Sequence, residues 1–207
     1  PGSSWWIPLM SDYEHYDKPP LIYWMTAISL KLFGRHELAA RVPSILGALA
    51  ALAGLAWTAR RRYDSKTAWW SVVVCATLVQ FNILGCTLTP DMLLTGLCML
   101  AVAAWAEGCA RQAHLAWWFL SVAFWVLAWW TKATAALVPL LSLTVGLWIT
   151  SYKNGLRALR PLRFLGILMI GLIWYVSLII KHHDLVHFFF GREIAGRIAG
   201  NPDGRHG

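Results

Sequence analysis

The chain has 207 residues, of which 58% are hydrophobic and 14% charged, with 14 Trp, a mean hydropathy of +0.53 and a formal net charge of +8. That balance lies outside the range of soluble domains and marks an integral membrane protein; no soluble domain, internal repeat or low-complexity segment fits inside it. The basic residues are divided among separate loops rather than gathered on one solvated face, which excludes a nucleic-acid surface.

The first distinctive stretch is DYEHYDKPPLIYWM, residues 12–25. Asp12, Glu14, His15, Asp17 and Lys18 offer acceptors, a metal-ligand type and a cation. They make either the water-facing rim of a membrane-embedded cavity or a solvated loop. Pro19 and Pro20 pre-set the backbone for a helix beginning at Leu21. The apolar segment 20–33 is only 14 residues long and has Lys31 near its end, so it is expected to lie in the interface or pack against a bundle.

Six uncharged runs follow, at 42–59, 67–90, 92–106, 112–131, 133–152 and 164–180. Most approach the roughly 20 residues needed to cross ~30 Å of hydrocarbon. Trp57, Trp69, Trp70, Trp105, Trp117, Trp118, Trp129, Trp130 and Trp148 fall at the predicted ends, where an amphipathic ring prefers the headgroup zone. An all-α polytopic bundle of about six spans plus one interfacial helix is the expected fold. Arg60, Arg61, Arg62 and Lys66 crowd one short loop, Arg111 lies in the next on that side, and Lys153, Arg157, Arg160 and Arg163 fill a third. These loops are expected to be cytoplasmic. The opposite side carries as many Lys and Arg, less densely, mostly in the long terminal stretches. On this reading residues 1–41 and 181–207 face the exterior, with the turns at 90–91 and 131–132.

Four further clusters carry candidate chemistry. In TLTPDMLL, residues 87–94, Asp91 sits at the outer mouth of two apolar runs, where a carboxylate is costly unless wetted or paired. Its other reading is an N-cap for a helix starting near Met92. In WWTKATAAL, Lys132 occupies an outer turn and is either a site residue or a snorkelling interfacial lysine. In KHHDLVH, residues 181–187, His183 and His187 are spaced i, i+4 with Asp184 between them, but the acid is shorter than in H-E-x-x-H and no third zinc ligand has convincing spacing. A solvated juxtamembrane histidine cluster is the favoured reading. In FFFGREIAGRIAGNPDGRHG, Arg192 and Arg197 can hold a phosphate or form a solvated helical face, and His206 lies beyond a turn signal. Cys75, Cys86, Cys98 and Cys109 form no C-x-x-C pair and are expected to be small packing residues.

DYEHYDKPPLIYWMTAISLKLFGRHELAARVPSILGALA, then TLTPDMLLTG, then LAWWTKATAALVPLL, resemble the N-terminal half of the ArnT-like branch of the protein O-mannosyltransferase superfamily. These are polytopic GT-C glycosyltransferases that use polyprenyl-phosphate sugars. The D-K-P-P-L-x-Y-W, G-x-x-E-x-x-A-R-x-P-S and T-P-D-M-L-L blocks occur in the family's order, and the resemblance covers essentially the whole chain. It implies that Lys18 lies near the lipid phosphate, that Asp17 is a candidate metal ligand, and that Asp91 is the second acidic residue of the active site. Arg41 is implied to begin the helix after the first external loop. His206 resembles a histidine of the next large external loop that joins a metal site, and Arg192 and Arg197 resemble phosphate-binding residues there. A divalent metal, Zn, Mg or Mn, is thus allowed by the resemblance.

Two departures stand out. The family's principal catalytic acid belongs upstream of this chain, with a preceding span, and the family's Lys-Gly-Pro is replaced by KATAA, which loosens a role carried over to Lys132. The chain starts without Met and ends in NPDGRHG, so a piece of a longer protein is expected, inactive alone, with 1–41 an external loop and interfacial helix, 42–180 the spans and 181–207 the start of another external loop.

The resemblance implies an inverting sugar transfer from a polyprenyl-phosphate donor to a hydroxyl or phosphate acceptor, with lipid A, a protein and a glycan all open, on the outer face of a bacterial inner membrane. The alternative from another class is a transporter or flippase with Asp91 and Lys132 on its substrate path. A membrane scaffold with no site is the third reading.

Overall fold

A computed structural model describes residues 9–10, 13–14, 19–109, 115–150, 170–177 and 179–180. In chain order the elements are β1 Leu9–Met10, β2 Tyr13–Glu14, α1 Leu21–Phe33, α2 Glu37–Arg62, α3 Ser65–Thr77, α4 Val79–Cys86, α5 Pro90–Gly108 and α6 Leu115–Thr150, with a further helical segment at 170–177. The chain divides into two compact units, Pro1–Gly171 and Leu172–Gly207, and the architecture below is that of the first.

The double proline acts as expected. Pro19 and Pro20 are fully buried, Pro20 is the N-cap of α1, and the helix begins at Leu21. Upstream, the expected loop contains a small antiparallel ladder, with Leu9 opposite Glu14 and Met10 opposite Tyr13. The helix ends at Gly34, whose φ of +93° is a left-handed value that side chains disfavour. His36 then caps α2: Nδ1 accepts the Ala39 N–H at 3.1 Å while Nε2 lies 3.0 Å from the Phe33 carbonyl. That pairing fits a neutral ring with its proton on Nε2. Ser29 donates to the Ala39 carbonyl at 2.5 Å and closes the α1–α2 corner.

Among the described residues two helices, α2 and α5, are long and apolar enough to cross a membrane, and α3 with α4 passes the same test as a pair bent by 68°, the form of a broken span or a re-entrant loop. The run 67–90 is therefore not one straight helix. Leu78 takes an extended conformation, and Asn82 Nδ2 donates to the freed Ala76 carbonyl (2.7 Å) and to the Leu78 carbonyl (3.0 Å), which also accepts the Asn82 N–H. Irregular backbone at membrane depth persists only where its polar groups are satisfied, and a side-chain amide does so here. The runs 112–131 and 133–152 correspond to the two arms of α6, which is interrupted at Lys132 (φ −160°, ψ 88°). Described residues of the run 164–180 start at 170.

The core is built on α5. Leu93, Leu94, Leu97, Cys98 and Ala101 meet Trp125, Ala128, Ala136 and Leu140 of α6, and Ile22 of α1 joins them. On its other side α5 touches α2 through backbone. A Cβ on Gly47 would lie 2.6 Å from the Leu93 Cα and the Met92 carbonyl oxygen, and one on Gly54 3.0 Å from the Met99 carbonyl. Small residues permit this approach, which supplies dispersion where lipid offers no hydrophobic drive. Cys98 packs here as expected, whereas Cys86 and Cys109 are exposed. Trp57, Trp69 and Trp70 are exposed as an interfacial belt requires, but Trp129 is buried, so its position at a helix end does not place it in the headgroup zone.

The apolar run 92–106 undercounts α5, which continues to Gly108 and buries Glu107. Arg61 grips that carboxylate with Nε on Oε1 (2.9 Å) and Nη2 on Oε2 (3.2 Å), and the Trp57 indole N–H donates to Oε1 at 3.1 Å. Arg62 donates to the Ala106 carbonyl. A buried acid is tolerable when fully paired in this way.

Two outcomes follow from these contacts. Gly96→Leu places a Cβ on the Gly47 backbone and should destabilise the protein by about 3 kcal/mol, the upper end of the overpacking range, whereas Gly85→Ala meets only ordinary contacts at 3.5 Å or more and should be tolerated; thermal melts in detergent read both. At the α2–α3 corner, the Thr67 N–H donated to Asp64 (2.6 Å) holds that carboxyl below its usual 3.8. The cap's contribution is fully present above pH 3.8 and is lost as pH falls through the lowered folded-state value. Asp64→Ala should therefore lower the melting point at pH 7, and the gap to wild type should close in acid.

Candidate functional site

The site is assembled at the Asp91 end of the bundle, opposite the Arg61–Glu107 clamp. Helix α5 starts two residues earlier than an Asp91 cap requires: Thr89 is the N-cap in an extended conformation (φ −129°, ψ 151°), Pro90 is the first helical residue and Asp91 lies in the first turn. Proline at that position explains the shift, because its fixed φ suits the helix and its missing N–H is not needed there. The N-cap reading of Asp91 is thereby replaced. Its carboxylate still sits at the positive end of the helix dipole, but it spends Oδ1 elsewhere.

That partner is Lys132. The ammonium donates to Asp91 Oδ1 at 2.6 Å across 41 residues of sequence. The reach depends on the break in α6: Lys132 alone is extended, Thr131 turns its hydroxyl back onto the Leu127 carbonyl (2.9 Å), and Pro139 lies too far along the second arm to set the break. The snorkelling reading of Lys132 gives way to a partnered one. Side-chain exposures of 33% for Lys132 and 39% for Asp91 leave the pair open to a ligand. One ammonium proton and one carboxylate oxygen are engaged; two donors and Oδ2 have no partner among the described residues.

Four helices hold this end in place. Ser44 of α2, fully buried, donates to the Thr89 carbonyl at 3.3 Å, just ahead of Asp91. Trp24 of α1 packs edge-on against Trp130 of α6, centroids 5.9 Å apart, two residues before Lys132. Ser29 ties α1 to α2, as above. The G-x-x-E-x-x-A-R-x-P-S block thus builds the corner that positions the site: Gly34 ends α1, Glu37 pairs with Arg41 at 2.5 Å, and Pro43 and Ser44 are buried in the early turns of α2. Arg41 lies in the first turns of a helix that begins at Glu37.

Of the expected site residues, the structure brings Asp91 together with Lys132. Asp17, Lys18, Arg192, Arg197 and His206 lie outside the described residues, as do Asp12, His15, His183, Asp184 and His187. Among the described residues no three His, Cys, Asp or Glu side chains converge to hold a metal. Sequence reasoning passed over Glu107, which looked like the charged edge of a span; its only local signal is an acid one helical turn beyond Ala103 and Ala104, and its partners are some fifty positions away.

The chain is similar to known proteins over most of its length. A family model described as dolichyl-phosphate-mannose-protein mannosyltransferase matches residues 17–181. The undecaprenyl phosphate-alpha-4-amino-4-deoxy-L-arabinose arabinosyl transferase of Erwinia tasmaniensis is 26% identical over 211 residues, covering 99% of this chain and 38% of that protein. The enzyme of the same name from Shewanella sediminis is 32% identical over 84 residues, 41% of this chain and 15% of that one. The crystal structure of ArnT from Cupriavidus metallidurans bound to undecaprenyl phosphate superposes with a TM-score of 0.82 at 23% identity, over 93% of this chain and 37% of that one. The apo form gives 0.79 at 24% identity, over 90% and 36%. These two likenesses show the fold, a helical membrane bundle like that of ArnT. The chain spans about 38% of the length of the first of these relatives.

The pair itself can be tested. Asp91→Asn and Lys132→Met should each destabilise the protein, and the double variant should lose less than the two singles combined, with a coupling of about 1 kcal/mol for a partly exposed pair. A double-variant cycle of unfolding midpoints measures it; strict additivity would remove the pair as an energetic unit.

Proposed function

This chain belongs to the dolichyl-phosphate-mannose-protein mannosyltransferase family, and we propose that it forms part of a membrane glycosyltransferase moving a sugar from a polyprenyl phosphate to a hydroxyl or phosphate acceptor. The observation that carries the reading is the Lys132–Asp91 pair, half-open at the end of the bundle where the family-matched blocks converge. The donors named for the relatives, undecaprenyl phosphate-linked aminoarabinose, support a polyprenyl-phosphate sugar. Lipid A, a protein hydroxyl and a glycan are the acceptor classes. The dense basic loop of Arg60–Arg62 and Lys66 supports placing that loop in the cytoplasm of a bacterial inner membrane, which puts Asp91 on the outer face.

In the transfer, the acceptor oxygen bonds to the anomeric carbon from the face opposite the phosphate. The carbon–oxygen bond to phosphate breaks, its electron pair leaves with the polyprenyl phosphate, and a carboxylate takes the acceptor's proton. Negative charge accumulates on the departing phosphate, and fixed cations lower the barrier by meeting it there. Lys18 is assigned to that phosphate, with Arg192 and Arg197 contributing from the later loop. Lys132 adds a cation with two uncommitted donors, and its hold on Oδ1 orients Asp91 so that Oδ2 faces a sugar or acceptor hydroxyl. A carboxylate already bound to an ammonium is better suited to orienting than to taking a proton, so the base is assigned to a carboxylate other than Asp91. Asp17 and His206 are assigned to a divalent metal; no step above runs through one.

In the full-length protein, Lys18→Ala and Asp91→Asn should each lower turnover of a polyprenyl-phosphate sugar by at least the ~10²-fold typical of lost electrostatic or acid–base groups. Unchanged turnover in both removes the assignment. The transporter alternative keeps one structural argument, the broken α3–α4 and α6 helices. Donor movement across vesicles without any sugar transfer would favour it.

A further inference from the structure

At the end of the bundle away from Asp91, Arg60, Arg61 and Arg62 close α2, Tyr63 and Asp64 make the corner, and Lys66 lies in the first turn of α3. These charges are not equivalent. Arg61 is committed to Glu107 through two hydrogen bonds, Arg62 to the Ala106 carbonyl, and Asp64 to the Thr67 N–H. Arg60 and Lys66 remain, both exposed and neither in an ion pair or side-chain hydrogen bond among the described residues. The clamp beside them anchors the end of α2, so Arg60 is presented from a fixed backbone.

Depth in the membrane follows from the aromatic residues. Trp57 is exposed one turn before Arg60 on α2, and Trp69 and Trp70 are exposed one turn after Lys66 on α3. Indole rings settle between headgroups and hydrocarbon, so the two cations stand just on the aqueous side of that boundary, at the level of lipid phosphates. One further turn along α3, Val74 is exposed on the same face as Trp70 and offers apolar surface to an acyl chain. Exposed cations, then indoles, then Val74 along these helices match the order of charges and chains in a phospholipid.

We propose that Arg60 and Lys66 form a headgroup site for an anionic phospholipid of the leaflet on their side, with the phosphate between the two cations and an acyl chain along Trp70 and Val74. The arginine fork suits two phosphate oxygens, and the lysine supplies a third donor. Free phosphate shares the charge but not the chain, and it gains nothing from the indoles. This site is independent of the glycosyltransferase reading.

The test uses the full-length protein in a neutral detergent, titrated with phosphatidylglycerol, with phosphatidylcholine at the same mole fraction, or with inorganic phosphate, while the thermal midpoint is followed. Phosphatidylglycerol should raise the midpoint and the other two should not. R60Q/K66Q should keep the lipid-free midpoint and weaken apparent phosphatidylglycerol binding, by roughly fivefold for each residue. R60K/K66R, which conserves the charge, should retain most of the shift. Equal shifts with phosphatidylcholine, a shift reproduced by phosphate, or full retention in R60Q/K66Q would overturn the proposal. Should the double variant fail to fold, R60Q and K66Q separately decide it: a weakened shift in either supports the site, and an unchanged shift in both overturns it.

Discussion

The backbone contact between α2 and α5 is the constraint from which the rest of the first unit follows. Gly47 and Gly96 bring two helices together with no side chain between them, and no residue with a Cβ fits at either position without moving backbone. An approach this close fixes relative rotation and translation of the two helices along their whole length. At one end it delivers Ser44 to the Thr89 carbonyl; at the other it delivers Arg61 to Glu107. Each terminal interaction is directional, so both depend on the close helix contact in the stretch between them.

The break in α6 plays the complementary part. A continuous helix would hold Lys132 on whichever face the period dictates, and the break frees its backbone to send the ammonium to Asp91. The cost is a disturbed helical ladder, offset in part by the Thr131 hydroxyl and by a 2.6 Å charge-assisted hydrogen bond. The bend between α3 and α4 follows the same logic with a neutral residue: the Asn82 amide takes over the Ala76 carbonyl that the bend exposes. In both places a polar side chain inside an apolar run marks a helix that is not straight.

Those two elements show what was legible in the sequence and what was not. The helical class, the start of α1 after the double proline, and the two arms of α6 around Lys132 follow from local signals: hydrophobic runs, proline geometry and a charge in a turn. The family blocks carried Asp91. The Asp91–Lys132 and Glu107–Arg61 pairs were hidden because each joins residues more than forty positions apart, and a pairing across a bundle depends on helix rotation that no local pattern encodes. The bend at Leu78 was missed for a different reason. It has no Gly or Pro, and Gln80 and Asn82 carry no charge to interrupt the run.

The two ion pairs at the ends of the bundle differ in a way that separates architecture from chemistry. Glu107 has both oxygens engaged, by a two-pronged guanidinium and an indole, and its side chain is only 10% exposed. An arrangement so saturated has nothing left to offer a ligand; it locks helix ends. Asp91 engages one oxygen with a single-point ammonium, and both side chains retain about a third of their exposure. Lysine, with rotatable donors on a flexible stem, leaves two of them able to turn toward a further acceptor. The open pair therefore keeps two ammonium donors and a carboxylate oxygen uncommitted beside an intact contact, and the closed pair holds the helices still around it.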